Sequence, residues 1–329
     1  MKHSAIVAIT RSALVSIVIV CTAGGSAYGG EAASIKVSGN GGTKMYPDIY
    51  GDRVVWQDSR NGIADIYLYD LKSGKETRIT NGPGEHRKPR IYGNRIFWQD
   101  SRNGSSDIYM YDLETGKESP VVVSPAPKVD IAAWGDRIVW TDLRSGKGTI
   151  YMYDLVRKVE KRIGYGQGPQ GFAAIHGDKV VWKDERNDAG DIYLYDLATD
   201  RETRITADPA SQWAPAIHGD TIVWEDNRST DLITSWDLYR YDLKSGKETR
   251  LTTGDASQRY PRLYKDKVVF IDNRRGEVED IRLLDLATGT EAAITGGTKD
   301  KLTPAIFGNR IVFSDLKNIY LATFPANPP

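Results

Sequence analysis

The stretch PDIYGDRVVWQDSRNGIADIYLYDLKSGKETRIT, residues 47–80, divides into four short runs that are typical of β-strands. The runs cover residues 48–50, 53–56, 66–70 and 75–80. A Gly-Asp pair and a Ser-Gly pair supply two tight turns. After the first thirty residues, the chain has no 3.6-residue apolar period, so the sequence predicts almost no helix.

This unit recurs seven times, and each copy has an apolar run that ends in an aromatic residue. The aromatic anchors are Trp56, Trp98, Trp140, Trp182, Trp224, Phe270 and Phe313. They lie 42, 42, 42, 42, 46 and 43 residues apart. Four strands in a unit of this length are typical of a propeller blade. The sequence therefore predicts an all-β, seven-bladed β-propeller with four-stranded antiparallel blades.

The two ends of the repeat array predict how the ring closes. The seventh copy, PAIFGNRIVFSDLKNIYLATF, supplies only three strands, while an isolated strand-like run at residues 35–38 matches the fourth strand of the other copies. Nine residues separate Ser38 from Pro47, and nine also separate Thr80 from Pro89. The N-terminal strand is therefore predicted to complete the last blade, within a single propeller domain of residues 30–329.

The first 29 residues have the pattern of a secretory signal peptide. Lys2 and Arg11 precede an apolar stretch over residues 13–23, and small residues follow. The apolar stretch is too short to cross a bilayer, so we expect a secreted, cell-surface or periplasmic protein that does not span a membrane. A retained anchor, a buried first strand and a lipid-modified Cys21 are the alternatives. Cys21 is the only cysteine, so the exported chain would have no disulfide.

Composition narrows the functional class. Lys plus Arg and Asp plus Glu both total 44, and this balance argues against nucleic acid as a partner. The chain has no phosphate loop, dinucleotide fingerprint or nucleophile elbow, and its four histidines are too few for a histidine-built metal site. The segment 58–65 lacks the ligand pattern of a calcium loop. We therefore expect no cofactor and no metal, and a monomer.

The string WQDSRNGIADIYLYDL at residues 56–71, followed by RIT, resembles the repeat of TolB-type, WD-like propellers. The resemblance covers residues 35–324. It implies an exported propeller, and it says little about chemistry. Related propellers include stand-alone cell-surface proteins and polysaccharide lyases.

An Asp follows each aromatic anchor by two positions, with a basic residue two positions later. The pairs are Asp58/Arg60, Asp100/Arg102, Asp142/Arg144, Asp184/Arg186, Asp226/Arg228, Asp272/Arg274 and Asp315/Lys317. An enzyme with one active site needs a catalytic pair in only one blade. A pair in every blade therefore predicts a structural turn contact or a bridge between blades.

The loops that connect the blades are the predicted recognition surface, because each has eight residues but a different sequence. Their last three positions are expected to surround the channel mouth. The candidate ligand-binding residues are Lys44, Tyr46, His86, Arg87, Lys88, Lys128, Gln170, Phe172, Gln212, Trp213, Gln258, Arg259, Tyr260 and Lys301. Amides and aromatic side chains lie on one arc and basic side chains on the other. This pattern favours a protein segment or an acidic polysaccharide as partner. Alternatively, the aromatic side chains wedge between blades.

Blade five has a longer loop over residues 227–237. Leu232, Ile233 and Trp236 form a candidate patch for a protein partner, unless they fold back over the neighbouring blade. The leading interpretation is a non-enzymatic binding propeller. The alternatives are a polysaccharide lyase, with His86, Lys88 and Tyr260 as its first candidate residues, and a structural surface component that self-associates.

Overall fold

The computed structural model describes residues 32–228, 235–276 and 278–325. In these ranges the chain forms seven four-stranded antiparallel sheets, which confirms the predicted propeller. None of its described residues forms a helix that could cross a membrane. The predicted signal peptide and the residues Leu232 and Ile233 lie outside these ranges.

The strands follow one another through the blades in chain order. Blade one contains β2 (Lys44–Tyr50), β3 (Arg53–Asn61), β4 (Ile63–Asp70) and β5 (Lys75–Arg78). Blade two contains β6 (His86–Tyr92), β7 (Arg95–Asp100), β8 (Asp107–Asp112) and β9 (Lys117–Val122). Blade three contains β10 (Lys128–Trp134), β11 (Arg137–Asp142), β12 (Thr149–Asp154) and β13 (Val159–Arg162). Blade four contains β14 (Gln170–His176), β15 (Lys179–Asp184), β16 (Asp191–Asp196) and β17 (Arg201–Arg204).

The other three blades continue the order. Blade five contains β18 (Gln212–His218), β19 (Thr221–Asp226), β20 (Asp237–Asp242) and β21 (Lys247–Arg250). Blade six contains β22 (Gln258–Tyr264), β23 (Lys267–Asp272), β24 (Asp280–Asp285) and β25 (Glu291–Ala293). Blade seven contains β26 (Leu302–Phe307), β27 (Arg310–Ser314), β28 (Ile319–Thr323) and the N-terminal β1 (Ser34–Lys36).

The ring closes through β1, as predicted. β1 pairs antiparallel with β28, with Ile35 opposite Leu321. Ser38 Oγ then accepts a hydrogen bond of 2.9 Å from the Ile319 N–H. Thr80 Oγ1 accepts the equivalent 2.9 Å bond in blade one. The N-terminal segment therefore takes the place of the fourth strand of blade seven, including its side-chain hydrogen bond to the third strand.

The core consists of layers between neighbouring blades. The second strand of each blade has sheets on both faces, and Val54, Val55 and Trp56 are fully buried. Val55 packs into one cluster with Trp98 of blade two. Runs such as Val-Val-Trp suit this position because β-branched and aromatic side chains pack well on a doubly covered sheet.

Two faces of the disc follow from the antiparallel order. The tight turns between the first and second strands and between the third and fourth strands lie on one face, which we call the turn face. The remaining two connections of each blade lie on the opposite face, the loop face. Gly51 has φ of 59°, the left-handed conformation that such a turn requires.

The repeated Asp–Arg pair forms a contact within one blade. Asp58 accepts hydrogen bonds from Trp56 Nε1 at 3.0 Å and from Arg60 Nη2 at 2.5 Å. Arg60 Nη1 also lies 2.5 Å from Glu76 Oε1 on the outer strand. This arrangement, the Asp–Arg clamp, ties the second strand to the fourth and supports the structural interpretation.

Candidate functional site

The innermost strand of each blade lines the central channel, and it begins four residues before the predicted first run in blade one. We number its positions 1–7 from Lys44, and from the matching residue in each other blade. A β-bulge interrupts each pairing near the start; in blade one it lies between Met45 and Asp48. In all seven blades the position 3 residue has φ between 47° and 56°: Tyr46, Lys88, Asp130, Phe172, Ala214, Tyr260 and Thr303. Non-glycine residues rarely adopt this conformation, so the bulge controls where the following side chains point.

Position 1 is buried, which corrects its predicted place at the open mouth. At most 4% of each side chain is exposed in Lys44, His86, Lys128, Gln170, Gln212 and Gln258. His86 Nδ1 lies 3.3 Å from Asp65 Oδ1, and its Nε2 lies 3.5 Å from Asp100 Oδ2. Lys128 Nζ lies 3.0 Å from Asp107 Oδ1. The bulge turns these side chains into the blades, where carboxylates of the repeat neutralise the bases.

The three buried amides also serve the scaffold. Gln170 Nε2 donates to Asp184 Oδ2 at 2.8 Å, and Gln258 Nε2 donates to Asp272 Oδ2 at 3.1 Å. Gln212 Oε1 accepts a 3.0 Å hydrogen bond from Thr206 Oγ1.

The other candidate residues remain accessible on the loop face. Arg87 is exposed and paired with Glu85, and Arg259 Nη2 lies 3.1 Å from Glu279 Oε1. Lys301, the position 1 residue of blade seven, is half-buried and donates to the Lys299 carbonyl at 2.7 Å.

Position 3 forms the rim of the channel mouth. Lys88 Nζ lies 3.5 Å from Asp130 Oδ1 and 5.7 Å from the centre of the Tyr46 ring. Three basic residues of the predicted arc therefore remain accessible. Lys88 lies on the rim, and Arg87 and Lys301 lie elsewhere on the loop face.

Aromatic side chains gather on the opposite side of the channel mouth, where Phe172 and Tyr260 occupy position 3, Trp213 occupies position 2 and Trp236 directly precedes β20. The ring centres of Phe172 and Trp213 are 5.0 Å apart, and those of Trp213 and Trp236 are 6.3 Å apart. Lys183 Nζ lies 3.5 Å from the Trp213 ring, a cation–π contact. Tyr260 is 45% exposed on the next blade. We call Phe172, Trp213, Trp236 and Tyr260 the aromatic wall. Trp236 thus packs against Trp213 of its own blade, at the channel mouth.

A buried carboxylate lies behind the aromatic wall. Glu225 is opposite Trp213 in the sheet and is 5% exposed. Its Oε1 accepts a 2.6 Å hydrogen bond from the Tyr260 N–H. Burial raises the pKa of Glu225 to about 7, although this bond and nearby arginines oppose the shift. Burial therefore favours the protonated form of Glu225 up to a higher pH than for an exposed glutamate.

A second tier of side chains lies deeper in the channel at position 5. Asp48, Arg90 and Arg262 occupy three blades, and alanine occupies the other four: Ala132, Ala174, Ala216 and Ala305. Asp48 Oδ2 accepts a 2.9 Å hydrogen bond from the Ile91 N–H. β6 has no strand on its inner side, so this amide places the Asp48 carboxylate on the channel wall. The sequence analysis did not identify this tier. The residue at position 5 differs between blades, and this difference is visible in the sequence.

Position 7 forms a continuous ring near the turn face, which we call the aromatic collar. Its members are Tyr50, Tyr92, Trp134, His176, His218, Tyr264 and Phe307. Every neighbouring pair is in ring contact, with centres 3.8–5.2 Å apart. Burial lowers the pKa of His176 to about 4, with a further contribution from His218. The collar therefore forms a continuous ring of aromatic side chains at the turn-face end of the channel, and we call the part of the channel between the collar and the loop face the funnel.

The turn face has a depression of about 320 Å³ between blades three and four, next to Trp134. Turn residues form its wall, and among them Arg137 Nη1 lies 2.5 Å from Asp178 Oδ1. Because this ion pair belongs to the repeated turns, we place the candidate site in the funnel. Across the three described ranges, no group of three or more His, Cys, Asp or Glu side chains is positioned to hold a metal ion.

Comparisons with known proteins support the fold. No family model matches the sequence, and no curated protein matches it. An oligogalacturonate lyase solved in complex with manganese is similar in structure, with a TM-score of 0.66, 15% identity, and coverage of 91% of this chain and 95% of that one. The oligogalacturonate lyase of Vibrio parahaemolyticus gives a TM-score of 0.65 at 12% identity, covering 90% of this chain and 99% of that chain.

The β-propeller domain of the trilobed protease from Pyrococcus furiosus is also similar, with a TM-score of 0.68 and 18% identity. The match covers 85% of this chain and 93% of that one. At these identities the likeness shows the propeller fold alone. The TolB-type resemblance stays a prediction.

Proposed function

We propose that this protein is an exported, non-enzymatic propeller that binds an acidic oligosaccharide in the funnel. The observation that carries the proposal is the aromatic wall, whose rings are half-buried or exposed beside the channel mouth. Sugar rings have apolar faces that stack on such side chains and hydroxyl groups that need polar neighbours. The rim supplies Lys88 and Asp130 for that purpose.

The acidic character of the ligand is supported by charge and by analogy. Arg90 and Arg262 lie deeper in the channel at position 5, and neither has a carboxylate oxygen within 4 Å among the described residues, so both are free to pair with an acidic ligand. Two of the similar structures are oligogalacturonate lyases and match this chain over at least 90% of its length. The substrate of those proteins applies to this chain only by analogy. That analogy is the reason for choosing uronate oligomers as the test ligand.

Binding is tested by isothermal titration of oligogalacturonate into the wild type and into the double variant Trp213→Ala/Tyr260→Ala. We expect binding to weaken by about tenfold to a hundredfold, since large aromatic contacts dominate binding energies. Tyr165→Ala is the matched control, because Tyr165 is 53% exposed and packs beside Tyr195, outside the aromatic wall. Equal affinity for the wild type and the double variant would contradict the proposal.

A lyase is the second candidate function, and Glu225 is the observation that favours it. A carboxylate with a pKa of about 7 can accept a proton near neutral pH. Glu225 lies directly behind the aromatic wall, where it accepts a hydrogen bond from the Tyr260 N–H. His86, the first sequence candidate for a base, is fully buried between two carboxylates, whereas Lys88 and Tyr260 remain on the rim.

Incubation with oligogalacturonate separates the two functions. A lyase produces an unsaturated sugar with a new ultraviolet absorbance, and Glu225→Gln should abolish it. A binding protein leaves the oligomers intact. Export is tested by determining the N-terminus of the protein recovered from each cell fraction, with cleavage near residue 29 as the expected result.

A further inference from the structure

The tier at position 5, which we call the arginine tier, contains two guanidinium groups that have no direct carboxylate partner among the described residues. Within the three described ranges, neither Arg90 nor Arg262 has a carboxylate oxygen within 4 Å. Arg90 Nη1 donates to the Pro89 carbonyl at 2.9 Å, and Arg262 Nη1 donates to the Pro261 carbonyl at 3.4 Å. A guanidinium has five N–H donors, so most donors of this pair are available to a ligand.

Asp48 does not neutralise the two arginines. Its carboxylate is bound to the Ile91 amide on the free edge of β6. Position 5 carries one acid and two bases, and Asp130 and Glu225 are also close enough to Arg262 to favour its charged form without pairing with it directly. An unpaired charge away from bulk water is unfavourable unless an ion of opposite sign can bind. The other four positions of the tier carry alanine, whose side chain is a single methyl group.

The position of the tier determines how a ligand can reach it. Strands rise about 3.3 Å per residue, so position 5 lies about 7 Å below the rim and about 7 Å above the aromatic collar. The collar surrounds the channel on the turn-face side with aromatic rings in contact. A chain that enters from the loop face therefore presents its end to the arginines, while the residues behind the end contact the aromatic wall.

We propose that Arg90 and Arg262 bind the carboxylate of the terminal residue of an acidic oligosaccharide, so that the funnel recognises a chain end. This inference rests on the proposed function. A guanidinium matches a carboxylate with two parallel hydrogen bonds, and such charge-assisted bonds are about twice as strong as neutral ones. The rim and the aromatic wall then bind the next sugars of the chain.

Electrostatics within the tier agree with this arrangement. Burial and the neighbouring charge of Arg90 together lower the pKa of Arg262 to about 10, against the opposing effect of nearby carboxylates. Burial raises the pKa of Asp48 despite its arginine neighbours. A bound carboxylate would relieve the repulsion between the two guanidinium groups.

The test uses Arg90→Gln, Arg262→Gln and the charge-retaining Arg262→Lys, with Lys72→Gln as the control. Lys72 is 78% exposed and pairs with Asp52 on the turn face. The ligands are a uronate oligomer and the same oligomer with its terminal carboxyl group reduced to an alcohol. We expect the wild type to bind the reduced oligomer about tenfold more weakly. Each glutamine variant should bind the unreduced oligomer more weakly than the wild type and discriminate less between the two forms, because one of the two guanidinium partners of the carboxylate is lost.

Two further measurements keep the inference falsifiable. Arg262→Lys retains the charge but not the fork geometry, so an intermediate affinity is expected. Asp48→Asn removes the opposing charge and keeps an acceptor for Ile91 N–H, so it should bind the oligomer several-fold more tightly than the wild type. Circular dichroism of each variant excludes unfolding as the cause of a loss.

The outcomes separate the inference from the proposed function. If the glutamine variants bind like the wild type while Trp213→Ala/Tyr260→Ala does not, the chain-end inference is overturned and oligosaccharide binding stands. If no oligomer binds the wild type, the proposed function fails and the chain-end inference fails with it. A peptide that binds through its free C-terminal carboxylate, where uronate oligomers do not bind, would overturn the assignment to a sugar.

Discussion

Replacement of Asp100 by alanine should destabilise the protein without changing ligand affinity. Asp100 is fully buried and accepts hydrogen bonds from Trp98 Nε1 at 2.8 Å, Arg102 Nε at 2.8 Å and Arg102 Nη2 at 2.6 Å. Alanine would leave a buried indole N–H without an acceptor and a partly buried guanidinium without its main partner.

The size of the loss follows from these contacts. Removing one partner of a buried ion pair costs about 3–5 kcal/mol of unfolding free energy. One kcal/mol corresponds to about 2 °C in Tm for a large domain. We therefore expect Tm to fall by about 6–10 °C, measured by differential scanning calorimetry. Oligosaccharide affinity should not change, because Asp100 lies inside the blade.

Blade seven provides the matched control, Asp315→Ala. Here Phe313 replaces the Trp and has no N–H to donate, and Lys317 replaces the Arg. Asp315 instead accepts hydrogen bonds from the backbone amides of Lys317 and Asn318. Its loss should cost about 1 kcal/mol. Equal destabilisation by the two substitutions, or weaker ligand binding by Asp100→Ala, would refute the structural role of the clamp.

The pH dependence of this stabilisation has a definite sign. Burial alone would raise the pKa of Asp100, but hydrogen bonds from Arg102 and Trp98 outweigh burial and hold the pKa below its ordinary value of 3.8. Because the pKa is lower in the folded state, the clamp contributes fully above pH 3.8. The contribution is lost as the pH falls through the folded-state pKa.

The repeated features of this protein could be predicted from the sequence. The number of blades, their four strands and the closure by residues 35–38 all follow from identical spacing in many copies. The Asp–Arg clamp was likewise identifiable as structural because it recurs. Residues that recur in every copy of the repeat make the contacts that every blade needs, and those contacts determine the scaffold.

The funnel could be predicted only in part. The aromatic wall was found because Phe172, Trp213 and Tyr260 stand out among the loop sequences. Lys44, His86 and Lys128 were misplaced, since a β-bulge has no signature in this sequence and it reverses the face on which a side chain emerges. Arg90 and Arg262 were missed because they lie within a strand that otherwise resembles its copies.

Two further predictions concern pH. The pKa of Glu225 rises from 4.5 to about 7 on folding, so the stability of the wild type should fall as the pH rises from 4.5 to 7. Glu225→Gln should remove this loss. At pH 8 the variant should be more stable than the wild type by about 3 kcal/mol, as measured by urea denaturation. The pKa of His176 falls from 6.5 to about 4, so stability should fall by up to about 1.4 kcal/mol per unit as the pH drops from 6.5 to 4. His176→Phe should flatten this second dependence, and a slope unchanged by either substitution would contradict the corresponding assignment.

The positions of the inner strands differ in how strongly packing restricts their side chains, and this difference explains why function should be confined to the funnel. Positions 4 and 6 carry residues such as Pro47 and Ile49, which are buried against the blades, so they are restricted by packing. Positions 3, 5 and 7 face the axis, where no neighbouring sheet restricts them. Position 7 is aromatic in every blade, because the rings must contact one another to form the collar. Positions 3 and 5 have no such requirement, and there the blades differ in charge, size and polarity. Differences that packing does not require are concentrated at the rim and the arginine tier, which is the distribution expected of a ligand site on a repetitive scaffold.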